Sequence, residues 1–366
     1  MGKGKADRFF ILIVAALLFL GIFIFASASL GVLAKNADVF YSIVANQLLL
    51  GLAGGLISFI IFSRIPYRLW KKYALPFFVF SLIVTALVFT PNFGFEHGGA
   101  KRWIHVASIS FQPGELLKLG LIIYVAAWFS WAKEKAGRIR YGVLPFIVLL
   151  AVAAAIMLKQ PDTGTFIVMS MAAISVYFAA GASWKHLFLI CVIGVLGFAM
   201  LIAFKPYLKD RLATFFNPTE DPLGTSYQIQ QSLIAIGSGE LFGRGLGQSV
   251  QKFSYLPEPV GDSVFAVIGE ELGFVGGLTT VILFLLFAFR GLKIASRAPD
   301  AFGSYLAVGL IALITAQSFL NIASLIGIFP LTGIPLAFIS HGGTALLFTL
   351  AEVGIVVNIS SSSRKS

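Results

Sequence analysis

The sequence predicts an all-α membrane protein, a polytopic bundle of about ten transmembrane helices with both termini in the cytoplasm. Hydrophobic residues make up 58% of the 366 residues and charged residues only 12%, whereas soluble globular domains carry about 25% charge. Apolar runs recur along the chain, and basic residues concentrate between alternate runs. Because no loop is long enough to hold a soluble domain, we treat residues 1–366 as a single transmembrane domain.

Ten apolar runs come near the length of about 20 residues that an α-helix needs to cross a bilayer. They cover residues 9–33, 43–62, 73–90, 116–132, 143–157, 163–180, 186–204, 264–289, 305–329 and 342–359. The first run follows a basic N-terminus and contains Ala26-Ser27-Ala28, which resembles a signal-peptidase site. This run far exceeds an h-region of roughly 7–15 residues, so we predict a retained first helix.

The basic residues predict the orientation, because Lys and Arg concentrate in cytoplasmic loops. With the N-terminus inside, the termini and the even-numbered gaps contain Lys3, Lys5, Arg8, Arg64, Arg68, Lys71, Lys72, Lys133, Lys135, Arg138, Arg140, Lys185, Arg290, Lys293, Arg297, Arg364 and Lys365. The outer loops are longer and hold fewer basic residues. The net charge of +11 therefore reflects orientation in a membrane, and we predict no nucleic-acid partner.

Two segments on the predicted outer side stand out. Residues 91–114 combine aromatic and basic side chains, and residues 205–262 form a large loop before the eighth helix. Long loops are more often functional or disordered than idle, and residues 227–236 suit a short interfacial helix. The glycine-rich stretch 237–248 is not followed by the G-K-[ST] of a P-loop. We expect structural turns there, with a polar substrate groove as the alternative.

Ionisable residues inside the predicted spans are costly and therefore mark candidate functional sites. Glu115 and Lys118 share one face of the fourth helix at spacing i, i+3. They form either a structural ion pair or a lysine offered to an anionic substrate. Glu270, Glu271 and Glu352 are expected to be buried, protonated or paired, although such acids also suit proton relay in a transporter.

Asp262 stands at the outer start of the eighth helix. One interpretation is a helix cap, since Asp commonly satisfies the free N–H groups at a helix start. The other is a general base, because a carboxylate fixed at the membrane–water boundary is well placed to take a proton. The histidines form no zinc-binding motif such as H-E-x-x-H, so the sequence identifies no metal ligands.

Ordered blocks of the sequence resemble the SEDS family (shape, elongation, division and sporulation) over nearly the whole chain. They are Gly99-Ala100-Lys101-Arg102-Trp103-Ile104, Gln112-Pro113-Gly114-Glu115, Gln160-Pro161-Asp162-Thr163-Gly164, Tyr227-Gln228-Ile229-Gln230-Gln231-Ser232, Leu256-Pro257-Glu258, Phe265-Ala266-Val267-Ile268-Gly269-Glu270-Glu271-Leu272-Gly273 and Phe338-Ile339-Ser340. The short tails and the first block look more like RodA, the elongation member, than FtsW, the division member. One departure is Val260-Gly261, where the family usually has His-Thr before its key aspartate, with Ser263 in place of Phe.

The resemblance implies a peptidoglycan glycosyltransferase that polymerises lipid II on the outer face of the bacterial cytoplasmic membrane during cell elongation. It implies Asp262 as the catalytic residue. It implies substrate-binding roles for Arg102, Glu115, Lys118, Asp162, Gln231 and Ser340. A divalent cation, Mg²⁺ or Mn²⁺, would suit oxygen ligands beside a diphosphate, and no nucleotide is expected. The expected partners are lipid II, membrane lipid and a class B penicillin-binding protein that supplies the transpeptidase.

Three alternatives stay open at this point. A lipid II flippase would depend on Glu270, Glu271 and Glu352 rather than on Asp262. A scaffold would recruit a wall synthase without catalysis of its own. An FtsW-type paralogue would carry out the same chemistry in cell division.

Overall fold

The computed structural model of the chain describes residues 6–90, 93–97, 100–106, 109–218, 221, 224 and 226–362. Within these residues, seven helices are long and apolar enough to cross a membrane. Three shorter apolar helices accompany them, at Ala74–Phe89, Val143–Met157 and Thr163–Ala179. The basic residues Lys3, Lys5, Arg364 and Lys365, which contribute to the predicted orientation, lie outside the described residues.

The α-helices in chain order are α1 (Arg8–Lys35), α2 (Ala37–Ala45), α3 (Gly55–Arg64), α4 (Arg68–Lys72), α5 (Ala74–Ala86), α6 (Pro113–Ala132), α7 (Val143–Met157), α8 (Thr163–Ala179), α9 (Trp184–Phe204), α10 (Pro206–Phe216), α11 (Tyr227–Ser238), α12 (Gln251–Ser254), α13 (Val264–Ser296), α14 (Ala301–Leu325) and α15 (Gly343–Ser362). A π-helical stretch, Asn46–Gly54, joins α2 to α3, so that Ala37–Arg64 is one spanning helix. Short 3₁₀ turns follow α5 at Leu87–Phe89 and α6 at Lys133–Gly137.

Each of the ten predicted apolar runs coincides with one of these helices, which confirms a polytopic, essentially all-α membrane protein. Some bounds differ. The second spanning helix begins at Ala37 rather than at residue 43, because the Asn36 side chain caps it by accepting from the Val39 N–H at 3.1 Å. The eighth continues past residue 289 to Ser296. Its last turns contain Arg290 and Lys293, whose long side chains can reach the membrane surface.

The outer segments contain structure that the sequence analysis did not predict. Strands β1 (Gly94–His97), β2 (Ala100–Val106) and β3 (Ile109–Phe111) form a three-stranded antiparallel sheet in the order β1-β2-β3. Helix α10 begins with Pro206, a residue favoured in the first turn because its missing N–H needs no partner there. The short helix predicted at residues 227–236 is confirmed as α11, and its interfacial position stays a prediction.

Helices α6, α14 and α15 form the core of the bundle. In their most apolar stretches, 78%, 67% and 89% of the residues are buried, respectively, whereas the figure for α9 is 6%. Glycines allow the core helices to approach closely: a Cβ at Gly354 of α15 would lie 2.8 Å from the Phe59 carbonyl oxygen of α3. Such small residues are typical where helices pack within a membrane. Helix α9 therefore lies at the periphery, next to the cleft described below.

Helix α13 is discontinuous at Gly273, whose φ of 66° and ψ of −162° lie in a region that is essentially restricted to glycine. The glycine-rich 237–248 stretch pairs with the break. The N–H groups of Phe274, Val275, Arg244 and Gly245 donate over 2.8–3.1 Å to the carbonyl oxygens of Glu240, Leu241, Glu270 and Glu271, respectively. Backbone groups that are not paired within a helix at membrane depth need partners from the chain itself. The 237–248 stretch supplies these partners, which is a structural role, as expected for its turns.

We expect Gly273→Ala to destabilise the protein, because its Cβ would lie 2.3 Å from the Gly243 nitrogen in a backbone conformation that alanine avoids. The expected loss is about 2 kcal/mol or more, measured by thermal unfolding in detergent. Gly197→Ala is the matched control, since Gly197 lies in α9 with nothing within 4 Å of the added Cβ. Equal stability of the two variants would contradict a strained break at Gly273.

The predicted orientation can be tested with single cysteines in a Cys191→Ser background. We expect an impermeant maleimide to label Lys209→Cys, exposed on α10, in intact cells. It should label Gly137→Cys, exposed after α6, only once the membrane is permeabilised. The reverse pattern would invert the bundle and place Asp262 at the cytoplasmic end.

Candidate active site

Asp262 lies where the large loop joins α13. The N-cap of α13 is Ser263, whose side chain makes no capping hydrogen bond. The interpretation of Asp262 as the cap is therefore wrong. Its Oδ1 instead accepts a hydrogen bond of 3.3 Å from Nε2 of Gln228 on α11, which also donates to Ser263 Oγ at 3.0 Å. This amide therefore ties the Asp262 carboxylate and the N-cap of α13 to α11.

The surroundings of Asp262 raise its pKa from 3.8 to about 6. Burial is the main cause, and the negative charge of Glu258 acts in the same direction. The hydrogen bond from Gln228 and the positive charge of Arg211 oppose the shift. A carboxylate with this pKa is still mostly ionised at pH 7 and is a stronger base than an ordinary aspartate, which suits proton abstraction.

Two arginines bring positive charge to the same region. Arg211 of α10 donates from Nη1 to the Thr332 carbonyl oxygen at 3.2 Å. Arg102 of β2 donates to the carbonyl oxygens of Gln160 and Pro161. Burial and the charge of Arg102 lower the pKa of Arg211, whereas Tyr207, Asp262 and Asp162 act on it in the opposite direction. The structure thus gathers both arginines with two aspartates in one electrostatic neighbourhood.

The segment 331–341, between α14 and α15, supports Asp262 from the other side. Asn321 of α14 donates from Nδ2 to the carbonyl oxygens of Asp262 at 2.7 Å and Ile334 at 2.8 Å. Gly333 has a φ of +67° and lies close to both Arg211 and Asp262 Oδ2. These contacts fix the backbone of Asp262 independently of its side chain.

Ser340 was predicted to bind substrate, but its hydroxyl is engaged within the chain. It donates to the Gly261 carbonyl oxygen at 2.7 Å and accepts from the Leu336 N–H at 2.8 Å. The side chain is 5% exposed. In this structure Ser340 therefore positions the residue before Asp262 rather than offering a free hydroxyl.

Glu115 and Lys118 form the predicted ion pair, with 2.8 Å between Lys118 Nζ and Glu115 Oε2. Lys118 also donates to Gln317 Oε1 at 2.6 Å, and Gln317 donates to the Pro335 carbonyl oxygen at 2.9 Å. Both members of the pair are 3% exposed. The pair is consequently linked to segment 331–341 through Gln317.

Asp162 and Gln231, both predicted to bind substrate, lie on different helices. Asp162 is buried and caps α8, because its Oδ1 accepts from the Thr165 N–H at 3.3 Å. Gln231 is partly buried on α11, one turn after Gln228, and Gln228 is the glutamine that contacts Asp262. The substrate-binding roles of both residues stay predictions.

The three acids inside the spans have separate surroundings. Glu270 and Glu271 are fully buried and bond to residues of the large loop, as described below. Glu352 of α15 is 2% exposed and experiences the charges of Lys118 and Glu115. Within the described residues, the contacts of Glu270 and Glu271 do not connect with those of Glu352, so the three acids do not form one continuous proton relay.

An apolar cleft of about 350 Å³ opens beside the charged region. Its lining comes from α8, α9, α10 and residues 328–332, and its polar side chains are those of Thr163, Arg211 and Thr332. The peripheral helix α9 forms one wall through Phe198. A cleft of this composition suits a hydrocarbon chain whose polar end lies at Arg211.

The described part of the chain contains no group of three or more His, Cys, Asp or Glu side chains that could hold a metal ion. Mg²⁺ is commonly bound through one or two carboxylates together with substrate phosphates. A divalent cation that shares its ligands with substrate phosphates therefore stays a prediction.

Sequence reasoning missed Arg211, Gln228, Asn321 and Thr332. Arg211 is one of several basic residues in the outer loop, and its position near Asp262 depends on α10 contacting segment 331–341. Gln228 lies within a block that the sequence analysis singled out, but only the orientation of α11 distinguishes it from Gln231.

Comparison with known proteins identifies the relatives of this chain. Residues 7–365 match the model of the FtsW/RodA/SpoVE family, described as cell cycle proteins. Stage V sporulation protein E of Bacillus subtilis is 39% identical over 363 residues, 99% of each chain. A probable peptidoglycan glycosyltransferase FtsW of Geobacter metallireducens is 36% identical over 360 residues, 98% of this chain and 95% of the relative.

Solved structures agree with these relatives. The fold matches a chain of a peptidoglycan synthase complex, described as coordinating polymerization and crosslinking, with a TM-score of 0.78 and 26% identity over 99% of both chains. It matches the rod shape determining protein RodA of Thermus thermophilus with a TM-score of 0.71 and 26% identity, covering 99% of this chain and 98% of that one. The chain therefore belongs to the FtsW/RodA/SpoVE family of cell cycle proteins, the SEDS family that its sequence blocks resemble.

Proposed function

We propose that this chain is a peptidoglycan glycosyltransferase that polymerises lipid II on the outer face of the bacterial cytoplasmic membrane, with Asp262 as the general base. The observation that carries the proposal is the position of the Asp262 carboxylate beside Arg211, at the polar end of an apolar cleft. Relatives that carry a peptidoglycan glycosyltransferase name and align over 95% or more of their length support the reaction class.

The proposed reaction joins two lipid-linked sugars. Asp262 accepts the proton of the acceptor 4-hydroxyl, whose oxygen forms a bond to the anomeric carbon of the donor sugar. The bond from that carbon to the diphosphate oxygen breaks, and the configuration at carbon inverts. The departing diphosphate gains negative charge, which Arg211 and Arg102 are suited to neutralise because guanidinium groups bind phosphate oxygens in pairs.

The apolar cleft gives the lipid part of such a substrate a place to lie. A polyprenyl chain would pack against the side chains of α8, α9 and α10, with its diphosphate near Arg211 and Thr332. The predicted Mg²⁺ or Mn²⁺ stays a prediction. It would enter with the diphosphate, because the described carboxylates do not form a site of their own, and no step above depends on it.

A class B penicillin-binding protein is the proposed partner, since one structural relative belongs to a complex described as coordinating polymerization and crosslinking. The elongation role stays a prediction. The relatives at 36–39% identity carry sporulation and division names, whereas the RodA structure is 26% identical. Restoring growth in strains depleted of the elongation or the division member would distinguish the two roles.

The flippase alternative has less support from the contacts. Glu270 and Glu271 are bonded to residues of the large loop, and Glu352 lies in a different cluster with Lys118. Transport of labelled lipid II across proteoliposome membranes, retained in an Asp262→Asn variant, would favour it. The scaffold alternative would be favoured if the same variant still supported wall growth.

We expect Asp262→Asn to lower the rate of glycan synthesis from lipid II by at least about 100-fold, because a general base contributes roughly 10²–10⁴-fold. Arg211→Ala should lower it by about 100-fold through loss of charge stabilisation in the transition state. The assay is gel analysis of strands made by purified protein, with and without the transpeptidase partner. Asp210→Asn and Lys209→Ala, exposed neighbours on α10, are matched controls. Normal synthesis by folded Asp262→Asn protein would exclude this base.

The pKa of Asp262 predicts a pH dependence. The base must be ionised in the free enzyme, so kcat/KM should fall as the pH drops through about 6. Gln228→Leu should move this limb about one unit higher, because its hydrogen bond favours the charged carboxylate. Gln230→Leu, which instead loses a bond to the Pro218 carbonyl oxygen, is the control. An unmoved limb in the Gln228 variant would show that another group titrates.

A further inference from the structure

A fully buried ion pair lies inside the bundle, away from the substrate groups discussed above. Lys252 of α12 and Glu271 of α13 have 0% exposed surface, and 2.6 Å separates Nζ from Oε1. Ser27 of α1 completes the cluster: its hydroxyl lies 2.7 Å from both oxygens of Glu271 and accepts from Lys252 Nζ at 2.8 Å. Helix α1, distant in sequence, therefore meets the consecutive helices α12 and α13 at this pair.

The adjacent Glu270 holds the same part of the loop. Its carboxylate accepts from the Ser249 hydroxyl at 2.5 Å, from the Val250 N–H at 2.9 Å and from the Gln251 N–H. Two consecutive acids of α13 thus fix four consecutive loop residues, 249–252. Close approach reinforces the contact, because the Lys252 carbonyl oxygen packs against Gly31 of α1, where a Cβ would lie 2.2 Å from it.

These contacts close a ring that includes Asp262. Residues 249–252 contact α13 at Glu270 and Glu271. The chain then runs through residues 253–261 and enters the same helix at its outer end, just after Asp262. Leu256 and Val260 of this segment are buried in a small apolar cluster with Phe25 and Ala28 of α1. The contacts of Glu270 and Glu271 with residues 249–252 therefore fix the start of segment 249–262, and Asp262 lies at its end.

Burying a lysine and a glutamate together is a poor way to gain stability, because desolvation offsets most of their attraction and an apolar pair of similar volume is often as stable. A buried ion pair does specify geometry, since displacing either member leaves the other charge unpaired. We infer that Lys252, Glu271 and Ser27 are positioning residues, which fix segment 249–262 and thereby aim the Asp262 carboxylate. This inference depends on the proposed function, in which Asp262 is the base.

The test separates positioning from substrate binding by measuring kcat and KM for lipid II. We expect Lys252→Met and Glu271→Gln each to lower kcat about 10- to 100-fold, because small displacements of a reacting group are costly, while KM stays within about twofold. The double variant Lys252→Met/Glu271→Gln removes both charges and should recover to within about fivefold of wild type. Ser27→Ala, which keeps both charges, should lower kcat about two- to fivefold.

Two controls and one structural measurement complete the experiment. Arg244→Met removes an exposed cation 3.9 Å from Glu270, and Arg290→Met breaks an ion pair with Asp7 at the other end of α13. Both should leave kcat within about twofold. Hydrogen exchange of residues 249–262, which needs no activity, should quicken in the single charge variants and return towards wild type in the double variant.

The inference is overturned if the folded single variants keep wild-type kcat, if KM rises while kcat is unchanged, or if the double variant exchanges as fast as the worse single. If a single charge variant does not fold, the kcat values and exchange rates of Ser27→Ala and of the double variant are compared with those of wild type instead. Absence of polymerisation by the wild-type protein would instead count against the proposed function. The two failures can be distinguished, because hydrogen exchange reports whether the ion pair fixes segment 249–262 even without activity.

Discussion

Polar groups inside the bundle need partners from the chain itself, and the region around Asp262 depends on this constraint. Lipid supplies no hydrogen bonds to backbone released from a helix. The break of α13 at Gly273 therefore requires the 237–248 stretch to supply donors and acceptors. The next loop residues then bond to the Glu270 and Glu271 side chains. One interruption in a helix thus determines the path of the large loop from residue 239 to residue 262.

The candidate site inherits its rigidity from this arrangement. The Asp262 backbone is held by Asn321 from the helical core, and its side chain is held by Gln228 from α11. Groups placed on supported elements keep a productive geometry better than groups on free loops. Arg211 and Arg102, by contrast, donate to neutral carbonyl oxygens. Their charge is therefore available to attract a phosphate that reaches the cleft.

The spans could be predicted from the sequence because a membrane helix is an extended local property. About 20 consecutive apolar residues are visible without knowing any contact. The sheet in residues 94–111 could not, since strands of three to seven residues give little periodic signal. Helix α10 was missed for a related reason: its amphipathic surface gains stability from packing against other segments rather than from its own hydrophobicity.

The site could be predicted in part. The resemblance pointed to Asp262, Glu115 and Lys118, and the last two do form an ion pair. Which glutamine of the 227–232 block contacts Asp262 depends on the rotation of α11, and the sequence contains no measure of that rotation. The position of Arg211 depends on a contact with Thr332, more than 100 residues away along the chain. Side-chain roles set by long-range contacts therefore required the structure.

The acids of α13 and of its outer end have different surroundings. Glu271 faces a lysine at 2.6 Å and a hydroxyl at 2.7 Å, so its charge is matched by close partners. Asp262 faces an amide at 3.3 Å, and burial raises its pKa to about 6. Different surroundings can thus give two carboxylates different roles, and those of Asp262 suit the base that we propose. The loop between them links the two, because the firmly paired Glu271 anchors the segment that ends at Asp262, the proposed base.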